Sequence, residues 1–270
     1  MKKIIIGFFL TLFALNLHAQ KTAVLVAQFG TSNTEGRTAA LDVIFQDIKT
    51  AFPGVEVREA FTSPTICRIL EKKGIHKDSA VDALLRLHLE GYDKVFVQPT
   101  FLLDGIEMNM LREDVEKVAS FFKDVKVGEP LLSEISDFQQ VVSLLQDRVP
   151  GKNEAVMYVG HGNQKASTAA YTMLGNMLKA AGIPRCYFGT VEGWPDLEQS
   201  VKQLEGQKIK KVTLVPFLLA AGVHTHEDID GEWKPALEQA GYQVEVFFHG
   251  LGENPAFRQL IISHLKQIMK

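Results

Sequence analysis

Three side chains in the second half of the sequence have chemistry suited to a metal ion: His161, Glu192 and His224. Each lies at or just after an apolar run that predicts a strand, and each has a glycine within two residues. Imidazole nitrogens and carboxylate oxygens bind borderline divalent ions, and small neighbours leave room for a bulky ligand. The three residues predict a divalent-metal site, and their chemistry accepts Co²⁺, Fe²⁺, Ni²⁺ or Zn²⁺.

Each of these residues also has a purely structural interpretation. The Gly-His-Gly sequence around His161 is compatible with a tight turn, Glu192 with a loop or capping carboxylate, and His224 with the start of an acidic helix. His226 is expected outside the ligand set. Because the carboxyl ends of parallel strands meet at one edge of a sheet, their common placement favours the metal site.

Strand-like runs alternate with amphipathic stretches along the chain, which predicts an α/β fold with parallel sheets. A helix is predicted over residues 78–90, with Asp78 as its N-cap, and another closes the chain. The predicted strands cover residues 23–27, 55–61, 94–98, 155–159, 187–191, 211–215 and 244–248.

An internal repeat divides the chain. Residues 94–107 align with residues 211–224, and in both runs a glycine follows a proline by six positions. The repeat predicts two similar domains, over residues 20–135 and 136–270, each a small parallel sheet flanked by helices, with a ligand cleft between them. Glu107 and His224 occupy matching positions, so Glu107 is a candidate acid or base from the first domain.

The first 19 residues have the pattern of a cleavable signal peptide. Lys2 and Lys3 precede an apolar run, and Ala19 ends a candidate cleavage site. The run is shorter than the ~20 apolar residues of a membrane span, so no stable membrane anchor is expected, although an uncleaved anchor is the alternative. We therefore expect an exported, periplasmic protein.

The charge balance excludes a general nucleic-acid binder, because 29 Lys and Arg oppose 32 Asp and Glu for a net charge of -3. An anionic ligand must therefore meet basic side chains locally, and Arg37, Arg68 and Arg112 are candidates. Cys67 and Cys186 are expected to be free, buried thiols. The sequence leaves both a monomer and a homo-oligomer open.

Several motifs resemble those of the anaerobic cobalt chelatases, the sirohydrochlorin cobaltochelatases related to class II ferrochelatases. The resemblance implies a two-domain chelatase fold and insertion of a divalent metal, cobalt first among candidates, into sirohydrochlorin, a step of cobalamin biosynthesis. It also implies that His161, Glu192 and His224 bind the metal and that His161 accepts a proton. The motifs are residues 25–32, 60–63, 160–162, 191–193 and 216–224.

Export leaves two other functions open. One is an exported protein of the same fold that binds haem or another tetrapyrrole and removes its iron. The other is a carrier that binds a metal or a tetrapyrrole without turnover.

Overall fold

Two four-stranded parallel sheets form the framework of residues 20–270, the part of the chain that this computed structural model describes. The strand order is β2-β1-β3-β4 in the first sheet and β6-β5-β7-β8 in the second. The predicted α/β class and duplicated architecture are confirmed, whereas the predicted signal peptide over residues 1–19 lies outside the described residues. The strands are β1 (Thr22–Gln28), β2 (Glu56–Phe61), β3 (Lys94–Pro99), β4 (Asp124–Val127), β5 (Glu154–Gly162), β6 (Cys186–Glu192), β7 (Lys211–Pro216) and β8 (Gln243–Val246).

The two sheets are equivalent strand for strand. β3 lies between β1 and β4, and β7 lies between β5 and β8 in the same arrangement. The internal repeat therefore covers equivalent interior strands, β3 and β7, and the segments that follow these strands.

Helices cover both faces of the sheets. Two segments have π-helical hydrogen bonding, Arg37–Leu41 and Thr225–Trp233, and such segments are frequently found at functional sites. Short 3₁₀ turns cover Ala166–Thr168 and Leu251–Glu253. The α-helices are α1 (Thr34–Gly36), α2 (Asp42–Ala51), α3 (Pro64–Lys72), α4 (Ala80–Leu89), α5 (Ile106–Ala119), α6 (Ile135–Leu145), α7 (Ala169–Ala180), α8 (Leu197–Leu204), α9 (Lys234–Gln239) and α10 (Pro255–Ile268).

The largest apolar core is shared by the two halves of the chain. It contains Val24 and Phe61 of the first sheet together with Tyr158 and Phe188 of the second. The last helix, α10, packs against α2, α6 and β3 and thus returns to the first sheet. The boundary between the two predicted domains, at residues 135 and 136, therefore stays a prediction. Within the described residues, no helix combines the length and apolar character needed to cross a bilayer.

Cys67 and Cys186 are free thiols in the structure, but only Cys186 is buried as predicted, whereas Cys67 is partly exposed. Burial raises the pKa of the Cys186 thiol to about 11, so this group is protonated at pH 8. We expect iodoacetamide to modify Cys186 about 100-fold more slowly in the native protein than in the unfolded protein at pH 8, because only the thiolate reacts. Mass spectrometry of the labelled peptide gives both rates, and equal rates would contradict the buried position.

Candidate functional site: an interlobe cleft with paired imidazoles

A cleft opens between the carboxyl-terminal ends of the two sheets. Its cavity volume is about 220 Å³, below the ~300–1,000 Å³ of a closed small-molecule pocket, so a large flat ligand would remain partly outside it. Both halves of the chain line it, as the predicted interlobe site requires. The first half contributes Phe29, Gly30, Thr31, Leu41, Ile66, Thr100, Phe101, Leu102, Leu103 and Glu107, and the second contributes His161, Gly162, Asn163, Tyr171, Leu218, Leu219, Ala220, Gly222, Val223 and His224.

Two imidazoles meet on the second-half side of this cleft. His161 is the penultimate residue of β5, and His224 immediately precedes the π-helical segment Thr225–Trp233. Their ring centroids are 4.7 Å apart and their planes are nearly perpendicular. Residues that are 63 positions apart in the sequence thus share one wall of the cleft.

Both imidazoles have Nδ1 engaged by an acceptor. His161 Nδ1 lies 3.0 Å from the carbonyl oxygen of Gly162, and His224 Nδ1 lies 2.7 Å from Asp228 Oδ2. A carbonyl or carboxylate oxygen can only accept, so Nδ1 carries the proton in each ring. The Nε2 lone pair of each ring is then available to a metal ion, which is how histidine ligands are commonly oriented in proteins.

Glu107 lines the same cleft from the first half of the chain. It lies in the first turn of α5 and is half-buried. The repeat pairs it with His224, and the structure brings both residues to one cavity. A carboxylate in the same cleft as two imidazoles can accept a proton or offset positive charge.

Glu192 has a different position. It ends β6 and pairs with Gly162, directly after His161, yet its side chain is exposed and is not among the lining residues of the cleft. Side chains alternate along strands, so Glu192 shares a sheet face with Gly162, whereas His161 belongs to the opposite face. Among residues 20–270, no three His, Cys, Asp or Glu side chains are grouped as a preformed metal site. In this part of the chain, the imidazole pair therefore has no third metal-binding side chain grouped with it.

Glycine is required next to His161. Gly162 has φ +76°, and a methyl group there would lie 1.8 Å from the carbonyl oxygen of Glu192. Only glycine allows β5 and β6 to approach this closely while the chain turns into the next loop. The spacing of His161 and Glu192 therefore depends on this residue.

The basic residues considered from the sequence lie elsewhere. Arg37 is paired with Asp42, and Arg112 is paired with Asp104 and Glu129. No Lys or Arg belongs to the lining residues of the cleft. Its walls are largely apolar.

Two residues with a role at the site were missed by sequence reasoning. Asp228, which orients His224, was not singled out from the sequence, although the i, i+4 spacing from His224 indicates contact on a helix. Asn163 is buried two residues after His161, and an asparagine in a glycine-rich turn gives no distinguishing signal.

Duplicated α/β lobes with paired imidazoles and a carboxylate in the cleft between them are the arrangement expected of a metal chelatase. The chain belongs to the cobalt chelatase (CbiK) family, whose model matches residues 22–270. The match confirms the family resemblance of the sequence motifs.

Similar proteins agree with this assignment. The chain is 32% identical to a sirohydrochlorin cobaltochelatase of Salmonella typhimurium, covering 92% of this chain and 97% of that one. It is 30% identical to the sirohydrochlorin cobaltochelatase CbiKC of Nitratidesulfovibrio vulgaris, covering 93% and 91% of the two chains. SirB from Bacillus subtilis with Fe³⁺ has a similar fold, with a TM-score of 0.68, 16% identity and coverage of 92% and 95%.

Proposed function

We propose that this protein inserts Co²⁺ into sirohydrochlorin. The observation that carries the proposal is the pair of imidazoles, His161 and His224, with both Nε2 atoms available in the cleft between the lobes. Membership of the cobalt chelatase family and the naming of two relatives as sirohydrochlorin cobaltochelatases support the choice of metal and of macrocycle.

Metal insertion requires groups that bind the ion and groups that accept protons from the macrocycle. Insertion needs a partly desolvated ion presented to the ring and the removal of two pyrrole N–H protons. His161 and His224 supply nitrogen ligands for the ion. Glu107 lies across the cleft, where a carboxylate can take a proton from the ring, and His161 is the second proton acceptor once the metal has left its Nε2.

Glu192 is proposed as the third metal ligand, as predicted from the sequence. Its side chain is exposed, and its backbone pairs beside His161. Coordination requires the end of β6 to turn this carboxylate toward the imidazole pair. Such a ligand joins the site upon metal binding rather than being preformed.

The apolar walls determine how the macrocycle is placed. Sirohydrochlorin is a polycarboxylate, and no cationic side chain lines the cleft. Unpaired carboxylates are costly to bury, so they project out of the cleft into solvent while the ring contacts apolar side chains such as Phe29 and Leu103. The small cavity volume is consistent with a macrocycle that enters by one edge.

The test is a direct insertion assay. Purified protein is mixed anaerobically with sirohydrochlorin and Co²⁺, and the change in the absorption spectrum is followed against a reaction without protein. We expect multiple turnovers per protein molecule. Stoichiometric binding without turnover would support a carrier and contradict the proposal.

A second function is a candidate because the cleft is lined by no cationic side chain and is largely apolar. A tetrapyrrole with few carboxylates, such as haem, suits these walls better than a polycarboxylate does. We propose in addition that the chain is exported, on the basis of the signal-like residues 1–19, and an exported protein would meet haem from outside the cell. Titration with haem separates the functions: loss of iron identifies an iron-removing protein, and unchanged haem spectra exclude it.

A further inference from the structure

Asn163 is a buried polar residue at the edge of the proposed metal site. It follows His161 by two positions, and only 5% of it is exposed. Its Oδ1 accepts a hydrogen bond from the Lys165 amide at 2.7 Å, and its Nδ2 makes a long contact of 3.4 Å with Ser167 Oγ. The oxygen end of the amide therefore fixes the loop, while the nitrogen end has spare donor capacity.

Asn163 also touches the neighbours of both candidate carboxylates. A methyl group on Gly193, the residue after Glu192, would lie 2.5 Å from the Asn163 carbonyl oxygen. A methyl group on Gly105 would lie 2.9 Å from Asn163 Nδ2 and 3.2 Å from Glu107 Oε2. The side-chain amide and the Glu107 carboxylate thus flank the same point, where glycine leaves the space between them open.

The number of hydrogen-bond donors on the Asn163 side chain favours an interaction with Glu107. An amide nitrogen has two hydrogens, and Ser167 Oγ accepts at most one of them. The other points to the region between Asn163 and Glu107 beside Gly105. No hydrogen bond joins the two groups among residues 20–270, and a small side-chain movement would form one. A carboxylate held by a fixed donor keeps one orientation, which a proton acceptor needs when the macrocycle arrives.

We propose that Asn163 is a positioning residue whose side-chain amide nitrogen binds the Glu107 carboxylate during turnover and fixes its orientation in the cleft. The inference rests on the proposed chelatase function. In this proposal, the loop between β5 and α7 connects Glu107, the acid-base group of the first lobe, to His161, a proposed metal ligand of the second lobe. Asn163 itself touches neither the metal nor the reacting nitrogens.

The test is Asn163→Asp, which has nearly the same shape. The aspartate retains the oxygen that accepts from the Lys165 amide, but an acceptor replaces the donor that faces Glu107. We expect kcat for cobalt insertion to fall about 10- to 100-fold, because a misplaced acid-base group loses part of the ~10²- to 10⁴-fold that such groups contribute. KM for sirohydrochlorin should stay within about twofold, because the substitution affects proton transfer rather than binding.

Two further variants separate positioning from a general loss of structure. In a Glu107→Gln background, Asn163→Asp should cause no additional loss, because residues that act as a unit are non-additive. Ser167→Ala removes the loop-side partner of the same amide and should retain wild-type kcat.

Wild-type kcat in Asn163→Asp, or additive losses with Glu107→Gln, would overturn the role of Asn163. A wild-type protein that inserts no metal would overturn the proposed function, and this inference with it.

Discussion

Replacing His161 or His224 by alanine is expected to abolish cobalt insertion into sirohydrochlorin while leaving the fold intact. Each substitution removes one of the two imidazoles that the structure places in the cleft and that are proposed as metal ligands. His161→Ala also removes a proposed proton acceptor, and such groups contribute ~10²- to 10⁴-fold to the rate. We therefore expect a loss of at least about 100-fold in kcat/KM for each variant, measured from the absorption change on metallation.

Neither substitution should unfold the protein. His161 is partly exposed and the side chain of His224 is 44% exposed, so little packing is lost. Circular dichroism and urea unfolding check this directly. Metal affinity is a second readout, because each variant should bind Co²⁺ more weakly in the absence of the macrocycle.

His226 provides the matched control. It lies two residues after His224, is exposed, stacks on Phe248 and is not a lining residue of the cleft. His226→Ala should therefore insert cobalt at nearly the wild-type rate. Near-wild-type activity in His161→Ala or His224→Ala, or an equal loss in all three variants, would contradict the proposed ligands.

The repeat made the broad arrangement predictable from the sequence. Glu107 and His224 are far apart in the chain, yet matching positions in two copies of one supersecondary unit predict equivalent places at the ends of β3 and β7. The strand-end position of His161 likewise followed from the apolar run before it. Placement along the chain and membership of a common cleft were therefore accessible without coordinates.

Side-chain direction was not accessible in the same way. His161 was predicted after its strand, but β5 continues through Gly162. Once both residues belong to paired strands, alternation assigns His161 and Glu192 to opposite faces. The exact end of a strand depends on its backbone hydrogen bonds to the neighbouring strand. A pattern of apolar residues does not predict where those hydrogen bonds stop.

Two local predictions were wrong for identifiable reasons. Strand β4 was missed because its short, half-exposed sequence alternates valine with charged residues at the edge of the sheet. The N-cap of α4 is Ser79 rather than Asp78, since the Asp78 carboxylate is bound to His76 and Arg86. Competition between partners for one carboxylate is a tertiary effect that a capping rule does not include.

Replacing His264 by alanine is expected to lower the free energy of unfolding by about 3 kcal/mol. His264 on α10 and Asp137 on α6 are both buried, and His264 Nε2 lies 3.0 Å from Asp137 Oδ1. This contact fixes the last helix, which returns to the first sheet, to the segment that joins the two halves. Removing the ring leaves Asp137 Oδ1 buried without that partner and leaves a space between the helices.

The size of the loss follows from what Asp137 retains. Its other oxygen still accepts hydrogen bonds from the Ser133 and Glu134 amides, which keeps the cost at the lower end of the range for breaking a buried pair. His249 is the control, because its Nδ1 also contacts a carboxylate, Glu253, but its side chain is 56% exposed. His249→Ala should cost less than about 1 kcal/mol, since exposed pairs contribute little. Urea unfolding of the two variants measures both losses in the free energy of unfolding. Equal losses would mean that burial of the His264 contact does not stabilise the protein.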